Sequence, residues 1–328
     1  MTGTPRLEHI GVFTSGGDSP GMNAAIRAVV RTAAFNGLQV TGFLGGFDGL
    51  INDRTVHLGP RDVSNIIQRG GTMLRSARSD QFRTAQGREK AKSTLDRLGV
   101  QALVAIGGDG TFAGLLQLNK EHGVKVMGLP GTIDNDLDGT DNSIGFDTAV
   151  NTAMMAIDRI RDTASSHDRL FFVEVMGRDT GFLALASALA AGAEYVMVPE
   201  KKEGIEELVN ALSGAAASKS SSIVVIAEGD EEGGAFEVAR KVKERFAHYD
   251  TRVSVIGHMQ RGGSPTVNDR LLASRTGVAA VEALLQGRSN EMVGMVNGSI
   301  ALVPLAHAIG RKKQLDQELY RILRILSI

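Results

Sequence analysis

The stretch Pro130-Gly131-Thr132-Ile133-Asp134-Asn135-Asp136 follows directly on the apolar run Val124-Lys-Val-Met-Gly-Leu129. That run is too short for a helix and reads as a buried strand, which puts Asp134 and Asp136 on the loop at its carboxyl end. Open α/β sheets bind ligands at that edge. Two carboxylates one residue apart, a hydroxyl at Thr132 and glycines at Gly131 and Gly139 suggest a general base beside a close backbone approach to substrate. An acidic turn is the competing reading of the same residues.

The same strand-then-loop pattern recurs outward in both directions. Ile10 to Phe13 reads as a strand feeding Thr14-Ser-Gly-Gly-Asp-Ser-Pro-Gly21. Ser19 is expected to cap, and Pro20 to start, a helix with Met22, Ile26, Val29 and Ala33 on its apolar face. Such a helix start offers backbone N–H groups to a phosphate. Ala102 to Ile106 is a second strand. It delivers Gly107-Gly-Asp-Gly-Thr111, where Asp109 can hold Mg²⁺ through oxygen and the glycines admit phosphates; an ordinary glycine turn is the alternative.

Between these strands, Val40 to Gly49 reads as a strand and a flexible loop, and Val63, Ile66 and Ile67 as a short helix ending at Gly70-Gly71. Arg75, Arg78, Arg83 and Arg88 then spread over a polar loop and a helix reaching about Leu98. They form either a solvated face or, at Arg75 and Arg78, cations projecting toward a phosphate.

The second half repeats the pattern with different polar residues. A helix from Phe146 to Thr163 ends in Ser165-Ser166-His167-Asp168. The strand Leu170 to Val175 leads into Met176-Gly177-Arg178. Ser222 to Ala227 places Glu228 on an acidic glycine-rich loop, and Val253 to Ile256 feeds Gly257-His-Met-Gln-Arg-Gly-Gly-Ser264. Acids and glycines dominate the first-half loops, and Arg169, Arg178, Arg252, His258 and Arg261 the second. A metal–nucleotide site on one domain and an anionic co-substrate site on the other follow from that asymmetry.

Bulk properties narrow the class. The chain has 328 residues, 40 glycines, 7 prolines and no cysteine or tryptophan, with a formal net charge of −1. That length suits two domains. The near-neutral charge argues against a general nucleic-acid binder, so an anionic substrate must be met by arginines gathered locally. Without cysteine there are no disulfides and no thiolate metal site, which fits a reducing cytoplasm. No run of about 18 apolar residues occurs, so no membrane span is expected and a cytoplasmic protein is the default. Leu315, Leu319, Ile322, Leu323 and Leu326 recur at helical spacing and suggest an amphipathic helix docked on the second domain.

These loops, Thr14 to Asn23, Gly107 to Gly110, Pro130 to Asp136, Met176 to Arg178 and Gly257 to Pro265, resemble in order those of the bacterial-type ATP-dependent 6-phosphofructokinases over nearly the whole chain. The resemblance implies two three-layer α/β domains with mainly parallel sheets and a chain that crosses between them. Residues 1–145 plus 260–310 would bind ATP and Mg²⁺, and residues 146–259 plus 311–328 would bind fructose 6-phosphate. It implies Asp134 as the base toward the sugar 1-hydroxyl, supported by Asp136, with Thr132 and Arg178 on the transferring phosphoryl group. Asp109 would carry the metal, and Gly16, Arg78, Gly107, Gly108, Gly110 and Thr111 would line the ATP site. Met176, Gly177 and Glu228 would hold the sugar. Arg169, Arg252, His258 and Arg261 would bind its 6-phosphate, with Arg169 and Arg252 reaching into a neighbouring subunit of a homotetramer.

Glycine at 110 and 131, where pyrophosphate-dependent relatives carry aspartate and lysine, implies ATP as donor by leaving room for its α-phosphate. An effector site for ADP or phosphoenolpyruvate would use Arg27, Arg31, Arg54, Arg161, Glu194 and a basic cluster reduced here to Lys219. Arg75 stands where many members of the family have glycine. A kinase acting on NAD or lipid, suggested by Gly107 to Thr111 alone, and a binding module that has lost transfer are the other readings. The first needs none of the downstream motifs, and the second would not need Asp109, Asp134 and Arg178 together.

Overall fold

The structure is a computed structural model that describes residues 6–164, 169–202, 204–216, 222–245 and 250–327. The chain divides into two compact units: 1–132, 137–147 and 261–313 form the first, and 133–136, 148–260 and 314–328 the second.

In chain order the first unit begins with β1 (His9–Thr14), α1 (Met22–Phe35), β2 (Gln39–Phe43), α2 (Gly46–Ile51) and β3 (Thr55–His57). It continues with α3 (Ala85–Leu98), β4 (Ala102–Gly107), α4 (Asp109–His122) and β5 (Lys125–Pro130). The chain then builds α5 (Phe146–Ala164), β6 (Arg169–Val175), α6 (Phe182–Ala190), β7 (Tyr195–Met197), α7 (Ile205–Ala216), β8 (Ser222–Ala227), α8 (Ala235–Arg245) and β9 (Asp250–Val255). It returns to the first unit for α9 (Val267–Leu285), β10 (Glu291–Val296), β11 (Ser299–Pro304) and α10 (Leu305–Gly310), and ends in α11 (Gln317–Leu326).

The first unit holds a seven-stranded sheet in the order β11-β10-β5-β4-β1-β2-β3, parallel except for its two edge pairs, β10–β11 and β2–β3. Alternation along β4 explains its two covered faces. Ala102, Val104 and Ile106 pack into the core under α1 and α9, whereas Leu103 and Ala105 join Phe13, Phe112 and Leu115 on the other side. A sheet buried on both faces is what βαβ crossovers produce. On the first face α1 and α9 approach so closely that a Cβ at Gly277 would lie 2.6 Å from the Ala28 methyl. The expected helix face Met22, Ile26, Val29 and Ala33 is fully buried there.

The second unit holds an all-parallel four-stranded sheet, β7-β8-β6-β9. Leu170, Phe172, Val224 and Ile226 pack one face of it against Leu208 and Leu212 of α7 and Val238 and Val242 of α8. Helices α6 and α11 pack on each other, and Tyr320 and Leu323 are the buried residues of α11. Lys201 lies 4.9 Å from the centre of the Tyr320 ring.

The fold class therefore follows the reading of the sequence, with three local differences. Residues 60–69 form turns rather than a helix, because Val63 and Ile66 are buried by the first core without any repeating helical bonds. The stretch expected as a flexible loop after β2 contains α2, whose Phe47 stacks on Phe82 at 3.9 Å between ring centres. Helix α1 starts at Met22 behind a left-handed Gly21, without a side-chain cap. Ser19 is fully buried, and its hydroxyl has no hydrogen-bond partner among the described residues. Residues 165–168 and Lys219 lie outside the described residues.

Candidate active site

In the first unit, three adjacent parallel strands, β5, β4 and β1, end at one edge. Their loops are joined by backbone bonds: the Ser15 amide donates to the Ile106 carbonyl at 3.0 Å and the Gly131 amide to the Gly107 carbonyl at 3.0 Å. Gly16 is left-handed at φ 85°, and Gly108 is the extended residue before α4. A Cβ at Gly107 would sit 2.4 Å from the Thr111 hydroxyl and 2.6 Å from the Ser15 carbonyl, so the approach of the two loops requires glycine there. At Gly110 a Cβ would meet nothing within 4 Å, and at Gly108 only the Thr132 side chain at 3.7 Å. The N-terminal end of α4 is thus an open backbone surface with Asp109 as its first, exposed residue, next to the dipole's positive end. The side chains of Thr111 and Thr132 are buried at its sides.

Two glycines that the sequence suggested as approaches to substrate have another role. A Cβ at Gly131 would lie 2.7 Å from the Ile106 side chain and 3.3 Å from the end of Met22, and one at Gly139 would lie 2.8 Å from Val303. Both admit the protein's own core. The open space is at Gly110, not at Gly131.

The polar loop of residues 69–78 is fastened to this edge. Asn23, buried in the first turn of α1, donates to the carbonyls of Arg69 at 3.2 Å and Gly70 at 3.1 Å and accepts from the Met73 amide at 2.7 Å. The Thr14 hydroxyl donates to the Arg75 carbonyl at 2.7 Å and lies 2.9 Å from the Thr72 hydroxyl. Ser76 donates its hydroxyl to the Gly16 carbonyl. Arg78 is exposed on this loop. Asn23 is quoted in the first motif, but only the structure shows its task; an asparagine inside a helix, where it competes for backbone bonds, is the signal that could have marked it.

Arg261 also belongs to the first unit: it donates to the Asp18 carbonyl at 3.1 Å, and a Cβ at Gly17 would come within 2.5 Å of its guanidinium. Behind the acidic stretch, Ser143 donates to the Thr132 carbonyl at 2.6 Å, and the buried Asp269 accepts the Gly145 amide at 2.8 Å.

In the second unit the carboxyl ends of β8, β6 and β9 are adjacent. Arg178 is left-handed at φ 56°. Its amide donates to Glu228 at 2.8 Å, and the Met176 amide donates to the buried Gln260 at 3.3 Å. A Cβ at Gly229 would come within 2.0 Å of the Arg178 carbonyl. Asp134 is buried, and its carbonyl accepts from the Thr180 hydroxyl at 3.3 Å; Thr180 also bonds to the Gly177 carbonyl at 2.9 Å. Asn135, between the two aspartates, is left-handed at φ 54°. Asp136 is half-buried, and His258 is exposed in a short 3₁₀ turn.

Arg169 and Arg252 lie elsewhere. Arg169 opens β6 and pairs with Asp250 at 2.8 Å; Arg252 pairs with the same carboxylate. Their guanidinium groups, Arg169 foremost, hold Asp250 below the usual carboxylate range. Six steps along the strand, roughly 20 Å, separate Arg169 from Val175, so one chain does not bring it to the loop of Met176, Gly177 and Arg178.

Of the expected effector residues, Arg31, Arg54, Arg161 and Glu194 have partners within their own units. In the first unit Arg54 pairs with Asp48, Arg31 reaches the Pro60 carbonyl at 3.5 Å, and Arg27 is lowered from the ordinary arginine value by burial and by Arg31. In the second, Arg161 lies 3.6 Å from Glu194 and donates to the carbonyls of Ala191 and Gly192.

A phosphofructokinase family model matches residues 9–284. The chain is similar to ATP-dependent 6-phosphofructokinase 1 of Thermus thermophilus, 55% identical over 323 residues, which cover 98% of this chain and 100% of that protein. It is 51% identical over 320 residues to ATP-dependent 6-phosphofructokinase 2 of Bacteroides thetaiotaomicron, covering 97% and 98% of the two chains. Among solved structures, Pichia pastoris phosphofructokinase in the T-state superposes with a TM-score of 0.87 at 34% identity, over 94% of this chain and 36% of that longer one. The pyrophosphate-dependent phosphofructokinase of Marinobacter aquaeolei, at 22% identity, shares the fold with a TM-score of 0.85 over 95% of this chain and 86% of that one. Since the match takes in the whole second sheet and the first five strands of the first sheet, and the relatives are about half identical end to end, the chain belongs to the phosphofructokinase family.

Proposed function

We propose that this chain transfers the terminal phosphoryl group of ATP to the 1-hydroxyl of fructose 6-phosphate, giving fructose 1,6-bisphosphate and ADP in glycolysis. The observation that carries the reading is the open end of α4 at Gly108, where a Cβ would meet only the Thr132 side chain at 3.7 Å, with Asp134 two residues beyond Thr132 along the chain. A hydroxyl beside a phosphate-admitting backbone and a buried carboxylate on the same segment are what transfer to an alcohol needs.

The first unit is the nucleotide side. Backbone N–H groups around Gly16, Gly107, Gly108 and Gly110 meet the phosphates, with Thr111 behind them and Arg78 adding charge. Mg²⁺ is commonly held by one or two carboxylates plus substrate phosphates, so the exposed Asp109 beside open backbone fits it. Bound there, the ion would neutralise charge on the phosphate oxygens.

The second unit is the sugar side, apart from Thr132 and Arg261, which belong to the first. Asp134 takes the proton from the 1-hydroxyl, Asp136 supports it, and Arg178 and Thr132 offset charge on the moving phosphoryl group. Met176, Gly177 and Glu228 hold the sugar, and His258 and Arg261 meet its 6-phosphate. Arg169 and Arg252, set at the far part of β6 and β9, serve the 6-phosphate of a neighbouring subunit in a homotetramer. ADP or phosphoenolpyruvate would act through Arg27, Arg31, Arg54, Arg161, Glu194 and Lys219. No helix among the described residues is long and apolar enough to cross a membrane; a cytoplasmic site of action belongs to this reading.

A coupled assay with fructose 6-phosphate tests the reading, comparing ATP with pyrophosphate. Turnover with ATP is expected, and turnover with pyrophosphate alone would sink it. In Asp134→Asn, kcat should fall by about 10²- to 10⁴-fold while fructose 6-phosphate still binds. A kcat near that of the unaltered chain would remove Asp134 as the base.

A further inference from the structure

Seven non-glycine residues among those described have left-handed backbones: Asp53, Asn65, Arg75, Asn135, Arg178, Asn290 and Asn297. Five are Asn or Asp, whose short polar side chains tolerate that region; an arginine there stores strain. The two exceptions are Arg178 and Arg75. Such outliers persist where the surroundings over-determine them, and they gather at sites that use the side chain.

Arg75 parallels Arg178 in the first unit. Both side chains are solvent-exposed, and both backbones are held by a side chain at the carboxyl end of a strand. For Arg178 the holder is Glu228, which accepts its amide; for Arg75 it is Thr14, which donates to its carbonyl at 2.7 Å. The neighbouring Ser76 bonds the Gly16 carbonyl, so Arg75 is anchored directly beside the glycine loop. Asn23 fixes the preceding turn through three further bonds. The Arg75 guanidinium itself forms no hydrogen bond or ion pair among the described residues, so no such bond accounts for an arginine at φ 58°.

From this the geometry points to Arg75 as a second cation for the nucleotide's phosphates, next to Arg78 and held in place by the Asn23, Thr14 and Ser76 clamp. The inference rests on the ATP reading above and adds a nucleotide-specificity residue to it. A guanidinium suits this task because its fixed fork of N–H donors matches phosphate oxygens.

Glycine at 75 gives a clean test. It takes a left-handed backbone without steric cost and keeps the carbonyl that Thr14 uses, so Arg75→Gly removes only the guanidinium. With the full chain, ATP is titrated at saturating fructose 6-phosphate and Mg²⁺, and fructose 6-phosphate at saturating ATP. KM for ATP should rise about three- to tenfold and lose part of its dependence on ionic strength, with KM for fructose 6-phosphate unmoved and the melting temperature not lowered. Arg75→Lys should fall between the two. Asn23→Ala should raise KM for ATP further, since it loosens Arg75 and Arg78 together.

An unchanged KM for ATP in Arg75→Gly, with the unaltered chain turning over ATP, would overturn the inference and leave the parent reading standing. Equal rises in both KM values would overturn it as well. No ATP turnover in the unaltered chain would take down both.

Discussion

The carboxyl edges of the two sheets are built by opposite means. In the first unit the edge is made of backbone: Gly107 lets two loops touch, Gly108 and Gly110 leave the start of α4 open, and the nearby side chains tie loops together. In the second unit the edge is made of side chains. Arg178 is held left-handed by Glu228, Met176 by Gln260, and Asp134 is covered near Thr180. The difference teaches what each edge can recognise. Phosphates are met by N–H groups and a helix end, which need close approach and little charge, whereas a sugar phosphate needs individually placed donors and acids.

The comparison breaks most readily at Arg178. Arg178→Gly keeps the left-handed backbone and the amide that Glu228 accepts, and should still lower kcat by about 10²- to 10³-fold, because one charge-stabilising donor is lost. Single-turnover rates would read this; a kcat within a few-fold of the unaltered chain would mean that the second edge is not made of side chains in the sense claimed.

Next in size is a contrast between two glycines of the first edge. Gly107→Ala forces a methyl against the Thr111 hydroxyl and the Ser15 carbonyl, and should destabilise the chain by about 1–3 kcal/mol in denaturant unfolding. Gly110→Ala meets open space and should leave stability nearly unchanged while weakening ATP. If Gly110→Ala proves the more destabilising of the two, the backbone account of this edge fails.

The smallest effects concern pH, and their signs are opposite in the two units. In the first, Arg88 makes a two-point contact with Glu121 at 2.5 and 2.8 Å and also holds the carbonyls of Phe82 and Arg83. The Arg88 bond, followed by that from Gln117, lowers Glu121 to about 2. A depressed carboxylate stabilises the fold above its ordinary value near 4.5, and that contribution fades as pH falls from there toward 2. In the second unit, burial raises Asp230 on the acidic loop. A raised carboxylate does the reverse: its protonated form suits the fold, so the penalty appears as pH rises above the ordinary aspartate value. Asp230→Asn, which can still accept the Glu232 amide, should raise the melting temperature slightly at pH 7 and lose that gain in acid. Glu121→Gln should lower it at pH 7 and matter less in acid. Melting curves between pH 3 and pH 7 check both signs; two variants moving in the same direction would contradict the assignment.

What was legible in the sequence were the features set by short-range pattern. The apolar runs at Ile10, Ala102, Val124, Leu170 and Ser222 are strands because they are buried on both faces, and each run carries that information itself. The loops after them follow from chain direction alone. Less legible was anything that depends on what lies across the fold. Gly131 and Gly139 look like openings for substrate until Ile106 and Val303 are seen to occupy the space. Ser19 reads as a cap, yet α1 starts at Met22 behind the left-handed Gly21. Val63 and Ile66 have helical spacing but are drawn into the core as turns.

By itself, then, the sequence determined the α/β layers, the order of strand-end loops and the residue types on them, since alternation, glycine and charge act over a few neighbours. Only the tertiary structure decided which glycines are open and which face protein, that Arg169 shares Asp250 with Arg252 away from the loop of Arg178, and that Arg75 is fastened left-handed beside Gly16. The physical reason is that a Cβ clash, a shared carboxylate and a buried clamp such as Asn23 are contacts between residues far apart in the chain, and no local pattern encodes their partner.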